Sequence, residues 1–179
     1  MKIENPILVG FFPKPLCRRP DGFRNSKIAE ICSVTNCIAN GPKDWISKWG
    51  HNSYGFYENE ETIDRIFGKT QDTHFIYAYK LYSLIFTKRN VEALEINVDI
   101  KQSISSYEFL GFDVVSKSVS DFFECSPLSC NGLCDKYSVN KYCLIDKLED
   151  AYECCSKLHN EKCEPGPYYL FEVHRRKNG

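Results

Sequence analysis

The chain is predicted to fold as a single α+β domain, a mostly antiparallel sheet of about five strands with a few short helices packed on one face. Three observations carry that expectation. Apolar and polar residues alternate with period two, most clearly in 92–100, where Leu94, Ile96, Val98 and Ile100 oppose Glu95, Asn97 and Asp99. The connections between the middle strands are too short for the crossover of a dozen residues that parallel neighbours require. Two other stretches carry helix start signals and an apolar stripe at helical spacing.

The first strand is expected at Ile7–Phe12, ahead of Pro13, Pro15, Pro20 and Asp21-Gly22, which open a loop-rich segment over 13–57. Asn59 can cap a short helix with Glu60 and Glu61 in its first turn, Ile63, Ile66 and Phe67 on its apolar side and Gly68 at its end. The run Phe75–Phe86 is rich in Phe, Tyr and Ile, and Thr87-Lys88-Arg89-Asn90 connects it as a hairpin to the strand Glu92–Ile100. Tyr107–Val115 follows as another strand with Leu110, Phe112 and Val114 on one side. A helix after Asp146 carries the stripe Leu148, Ala151, Cys155 and Leu158, with Asp146 and Glu149 spaced as a capping box. Pro165 and Gly166 stop it before a last strand, Tyr168–Arg175. The sheet is thus assigned to 75–117 and 168–176, and the cysteine-rich segment with its helix to 125–163. No repeat, low-complexity tract or linker is legible, so 1–179 is read as one domain.

A formal net charge of −1 removes any broad attraction to nucleic acid or anionic lipid, so general nucleic-acid binding is not expected. The apolar run from Ile7 is too short for a signal-peptide core, and Lys80 interrupts the longest apolar stretch. No membrane association and a cytoplasmic location are the resulting expectations. In a reducing compartment the ten cysteines, seven of them between Cys125 and Cys163, are expected as buried thiols. No cofactor and no metal is favoured; zinc on Cys125, Cys130, Cys134 and Cys143 is the alternative, weakened by irregular spacing and the lack of any C-x-x-C. Gly68-Lys69-Thr70 is not a phosphate-binding loop, because Ile63 stands where that loop needs glycine.

What remains is a set of concentrations. Segment 42–57 gathers Trp45, Trp49, His51, Asn52 and Tyr54, flat apolar faces with hydrogen-bonding tips of the kind that pockets and interface hot spots use. Arg18, Arg19 and Arg24, with Lys14 nearby, suit a small anionic ligand or an acidic partner. Glu172 and His174 share one side of the last strand, where a carboxylate and an imidazole could act as a general base. The leading expectation is a binding or interaction protein that presents 42–57 to a protein partner or small ligand. One alternative is a small hydrolase or transferase on an anionic or nucleotide-like substrate, using His51 or Glu172 with the arginines. A cysteine-based zinc module is the other, and whether the chain is an enzyme stays open.

Overall fold

The computed structural model describes residues 4–35, 50–68, 74–118 and 123–177. They form one antiparallel sheet of six strands: β1 (Ile7–Pro15), β2 (His74–Leu81), β3 (Leu84–Phe86), β4 (Val91–Ala93), β5 (Tyr107–Ser116) and β6 (Tyr168–Arg176). The strands β1, β2, β6 and β5 lie side by side in that order, each antiparallel to the next. β3 takes over from β2 beside the start of β6, and β4 folds back on β3 as the expected hairpin. The helices are α1 (Glu60–Phe67), α2 (Pro127–Cys130) and α3 (Leu148–Lys157).

Helices α1 and α3 cover one face of the sheet. Ile63 of α1 packs with Phe11, Ile76, Ala78 and Tyr107, and Ala151, Cys154 and Cys155 of α3 pack with Phe112, Val114 and Leu170. The opposite face buries Val9, Tyr77, Tyr79, Leu110, Val115, Phe171 and Val173 beneath Cys32, Val34, Phe56 and Leu144 from the loops. As expected, Asn59 caps α1 by accepting from the Thr62 amide at 2.8 Å, and Gly68 ends it at φ +74°.

Three local expectations change. The stretch 94–100 is not a strand: β4 ends at Ala93, and the alternation survives as an extended segment with Leu94, Ile96, Val98 and Ile100 half-buried and the acidic side exposed. Period two reports which side of a chain is covered, not whether it has a ladder partner. Asp146 does not cap α3; its Oδ1 accepts from Asn140 instead, and Lys147 stands at the cap without a side-chain bond. Phe75–Phe86 is broken after Leu81, with β3 restarting at Leu84.

The chain is also built twice. In β1 the register slips between Leu8 and Gly10, and in β5 between Phe109 and Gly111; the two glycines have φ +145° and +146°. Asn52 Nδ2 donates to Val9 O while its Oδ1 accepts from the Tyr54 and Phe56 amides, and Asn140 repeats this with Leu110 O, Tyr142 and Leu144. Each Asn loop then bridges its strand, Tyr57 to Phe11 and Ile145 to Phe112, and leads into a helix, α1 or α3. Gly10 faces Tyr79, Gly111 faces Val173, and Tyr79 and Val173 face each other across β2 and β6. A pseudo-twofold axis therefore passes through that pair. The sequence carries matching traces, Cys32-Ser33-x-x-x-Cys37 with Asn52-x-Tyr54, and Cys125-Ser126-x-x-x-Cys130 with Asn140-x-Tyr142.

Each asparagine bonds three backbone groups of its loop and strand at once, so Asn52→Ala and Asn140→Ala are each expected to cost about 2–3 kcal/mol in urea unfolding. A loss below about 0.5 kcal/mol in either would show that its loop holds its shape without the side chain.

Candidate functional site

On the helical face, between the patch under α1 and the patch under α3, the central strands carry Lys80 opposite Glu172 and Ala78 opposite His174. Alternation places Lys80, Glu172 and His174 on one side, and the break after Leu81 lets Tyr82 reach the same place. The Glu172 carboxylate accepts from Tyr82 Oη at 3.1 Å and from His174 Nε2 at 3.0 Å, with Lys80 Nζ at 3.4 Å. Burial by itself would raise the Glu172 carboxyl, but the His174 and Tyr82 hydrogen bonds and the Lys80 charge outweigh it and hold the group below its ordinary value. The Tyr82 phenol is pushed up by burial and by the neighbouring carboxylate.

The cluster is reachable without being loose. Side-chain exposure is 29% at Lys80, 16% at Glu172 and 11% at His174. Over it lies Phe109, 47% exposed, its ring 5.4 Å from His174 and 5.1 Å from Phe112. With Nε2 given to Glu172, the Nδ1 of the imidazole has no bond among the described residues. The arrangement offers a flat ring, an oriented imidazole and an ammonium around a carboxylate already engaged by three donors.

The opposite face holds a different polar group. Lys14 Nζ donates to Ser33 O and Val34 O and lies 5.4 Å from the Tyr79 ring centroid. Asp113 accepts from the Val34 amide and Ser126 Oγ, both at 2.6 Å, and from the Val114 amide at 2.9 Å. Ser33 Oγ donates to Ser129 Oγ at 2.8 Å, so the two Cys-Ser loops of the repeat are stitched together here. Desolvation lowers Lys14 to about 8 against the pull of Asp113, and raises Asp113 to about 6 against its hydrogen bonds. These residues resemble nucleophile chemistry on paper, but Asp113, Ser33 and Ser126 are sealed from solvent. Asp113 is engaged by two amides and Ser126, and Ser33 by Ser129, so the group acts as a clamp between the loops.

Other residues singled out from sequence are placed as follows. Trp45 and Trp49 lie outside the described residues. His51 packs its ring 4.9 Å from Tyr57 and 6.4 Å from Phe12, Asn52 organises the loop, and Tyr54 Oη accepts from the Asn97 amide. Arg18, Arg19 and Arg24 are exposed, with Arg19 donating to Phe23 O at 3.1 Å, while Lys14 turns inward, away from them. The contacts described for His51, Glu172 and Arg19 share no residue.

Cys134 is lowered by a hydrogen bond with Cys143, whereas Cys125 donates to Asn131 and Cys130 adjoins Ser129. Among the described residues, no group of three or more His, Cys, Asp or Glu side chains is arranged to hold a metal ion, and no helix is long and apolar enough to cross a membrane. Sequence reasoning missed Lys80, Tyr82 and Phe109. The signal available for Lys80 was its position as the one charge inside an apolar strand.

Comparison with known protein families, curated proteins and solved structures finds no match.

Proposed function

We propose that the chain is a binding protein whose partner, another protein, docks on the helical face at Phe109, His174, Glu172 and Lys80. The observation that carries this reading is the exposed Phe109 ring on the edge strand β5, resting on His174 and Phe112 beside a preorganised charge cluster. Aromatic anchors with polar groups already fixed lose little freedom on binding, which is how hot spots concentrate affinity. Glu172 is engaged by three donors and, among the described residues, no hydroxyl or thiol nucleophile is bonded to His174, so recognition uses this geometry better than catalysis does. A reducing compartment suits the thiols, since burial pushes Cys32 and Cys154 up to about 12 and leaves them inert.

A photo-cross-linking residue in place of Phe109 is expected to trap one protein in cells that make the chain. The adduct should be lost in a His174→Ala background and absent when the residue replaces exposed Glu149 on α3. Equal adducts at both positions would end the proposal. The Glu172–His174 pair also favours a hydrolase reading, in which the imidazole is a general base. That reading requires turnover of p-nitrophenyl acetate to fall at least about tenfold in His174→Ala; the binding reading expects no difference.

A further inference from the structure

A cavity of about 440 Å³ opens between the β3–β4 hairpin and the connection from α3 to β6. It is separate from the Phe109 patch. Its size falls in the range of small-molecule sites, roughly 300–1,000 Å³. Leu158, Pro165, Pro167 and the Tyr168 ring give it flat apolar walls. Lys88 and Gly166 also line it, and among the described residues the Lys88 ammonium has no ion pair and the Gly166 N–H no acceptor.

The remaining polar walls decide what fits. Glu161 also lines the cavity, but its carboxylate is engaged by Lys136 and Tyr137. One ammonium facing one neutralised carboxylate balances a single negative charge, and a phosphate dianion would be left short of cations. His159 is fixed by two contacts and hemmed in by Gly166. Its Nε2 lies 2.9 Å from Phe86 O, its ring lies 4.7 Å from the Tyr168 ring, and a Cβ built on Gly166 would come within 2.4 Å of its Cε1. A carbonyl can only accept, so Nε2 carries the hydrogen, and in the neutral imidazole Nδ1 is then an acceptor. A ligand ring with its own N–H answers that acceptor.

We propose that this cavity binds a small aromatic monocarboxylate whose ring carries an N–H donor, the carboxylate meeting Lys88 and the Gly166 amide and the ring lying against Tyr168 and the prolines. Indole-3-acetate is the probe, titrated into the full-length, isotope-labelled chain with amide shifts read by NMR. Saturating shifts at Lys88, Gly166 and Tyr168 are expected with a Kd of roughly 0.1–1 mM. Lys88→Glu should weaken binding at least about tenfold. Arg89→Met, an exposed neighbour outside the cavity, should leave it unchanged. Naphthalene-1-acetate, which lacks the N–H, should bind several-fold more weakly than indole-3-acetate. The proposal is overturned if those amides do not saturate by about 10 mM, if Lys88→Glu binds as wild type, if naphthalene-1-acetate binds equally well, or if inorganic phosphate binds more tightly.

Discussion

Asp113→Ala is expected to lose about 3–5 kcal/mol of stability at pH 7, measured as the urea unfolding free energy. The substitution strands three donors at once, the amides of Val34 and Val114 and the hydroxyl of Ser126, inside a fully buried site. It also leaves the Lys14 ammonium buried without the nearby carboxylate whose charge supports it. A loss under about 1 kcal/mol would mean that water or chain movement relieves the cluster and that the clamp is not structural.

The same cluster sets a pH dependence with opposite signs at its two ends. Lys14 is held at about 8 when folded against 10.5 when free, so its protonation weakens the fold. Wild type relative to Lys14→Met should therefore gain up to about 3 kcal/mol as pH rises from 8 to 10.5, with no further gain above. Asp113 stands at about 6 against 3.8, so its ionisation weakens the fold, and its contribution is present below 3.8 and lost as pH rises through 6. Both burdens are greatest between 6 and 8. A flat difference between wild type and Lys14→Met above pH 8 would show that the lysine stays charged in the folded protein.

Gly111→Ala and Gly10→Ala are each expected to destabilise by more than about 3 kcal/mol, enough to abolish a native thermal transition in a marginal domain. A Cβ at Gly10 would lie 2.5 Å from Phe56 Cβ and 2.8 Å from Tyr57 O; at Gly111 it would lie 2.8 Å from Leu144 Cβ and 2.9 Å from Ile145 O. Neither neighbour is a flexible side-chain end, and both glycines sit at a positive φ that side chains rarely adopt. Because the two sites are copies, the losses should match. A large loss in one variant with a small loss in the other would mean that the halves bear load differently despite their shared geometry. Circular dichroism melts on the pair decide between these outcomes.

The duplication was written in the sequence but not in a form that a fixed-period scan detects. The Asn-x-Tyr follows the first Cys-Ser by twenty residues in the first half and by fifteen in the second, and the strands between share only hydrophobicity. The patch was partly legible: period two put Glu172 and His174 on one side and Lys80 stood out as a lone charge in an apolar strand, but nothing local joined the two, because Lys80 meets Glu172 only where β2 and β6 pair in one register. The basic cluster near the amino terminus was misleading for a similar reason. Lys14 stands close to Arg18 and Arg19 along the chain, yet it belongs to a strand whose inward side faces Tyr77 and Tyr79.

By itself the sequence determined what short-range physics can dictate: strand β1 from its apolar run, strands β5 and β6 from their alternation, the cap of α1 from Asn59, and the buried stripe of α3 from its spacing. Tertiary structure alone decided that 94–100 would run extended without a ladder, that Asp146 would serve Asn140 rather than its own helix, and that Tyr82, Glu172 and His174 would share hydrogen bonds. Propensity and period act within a few residues, whereas a hydrogen-bond partner is chosen among all groups that folding brings within reach. Tyr82 lies ninety residues from Glu172, and their meeting follows from the pairing of distant strands, which no local window contains.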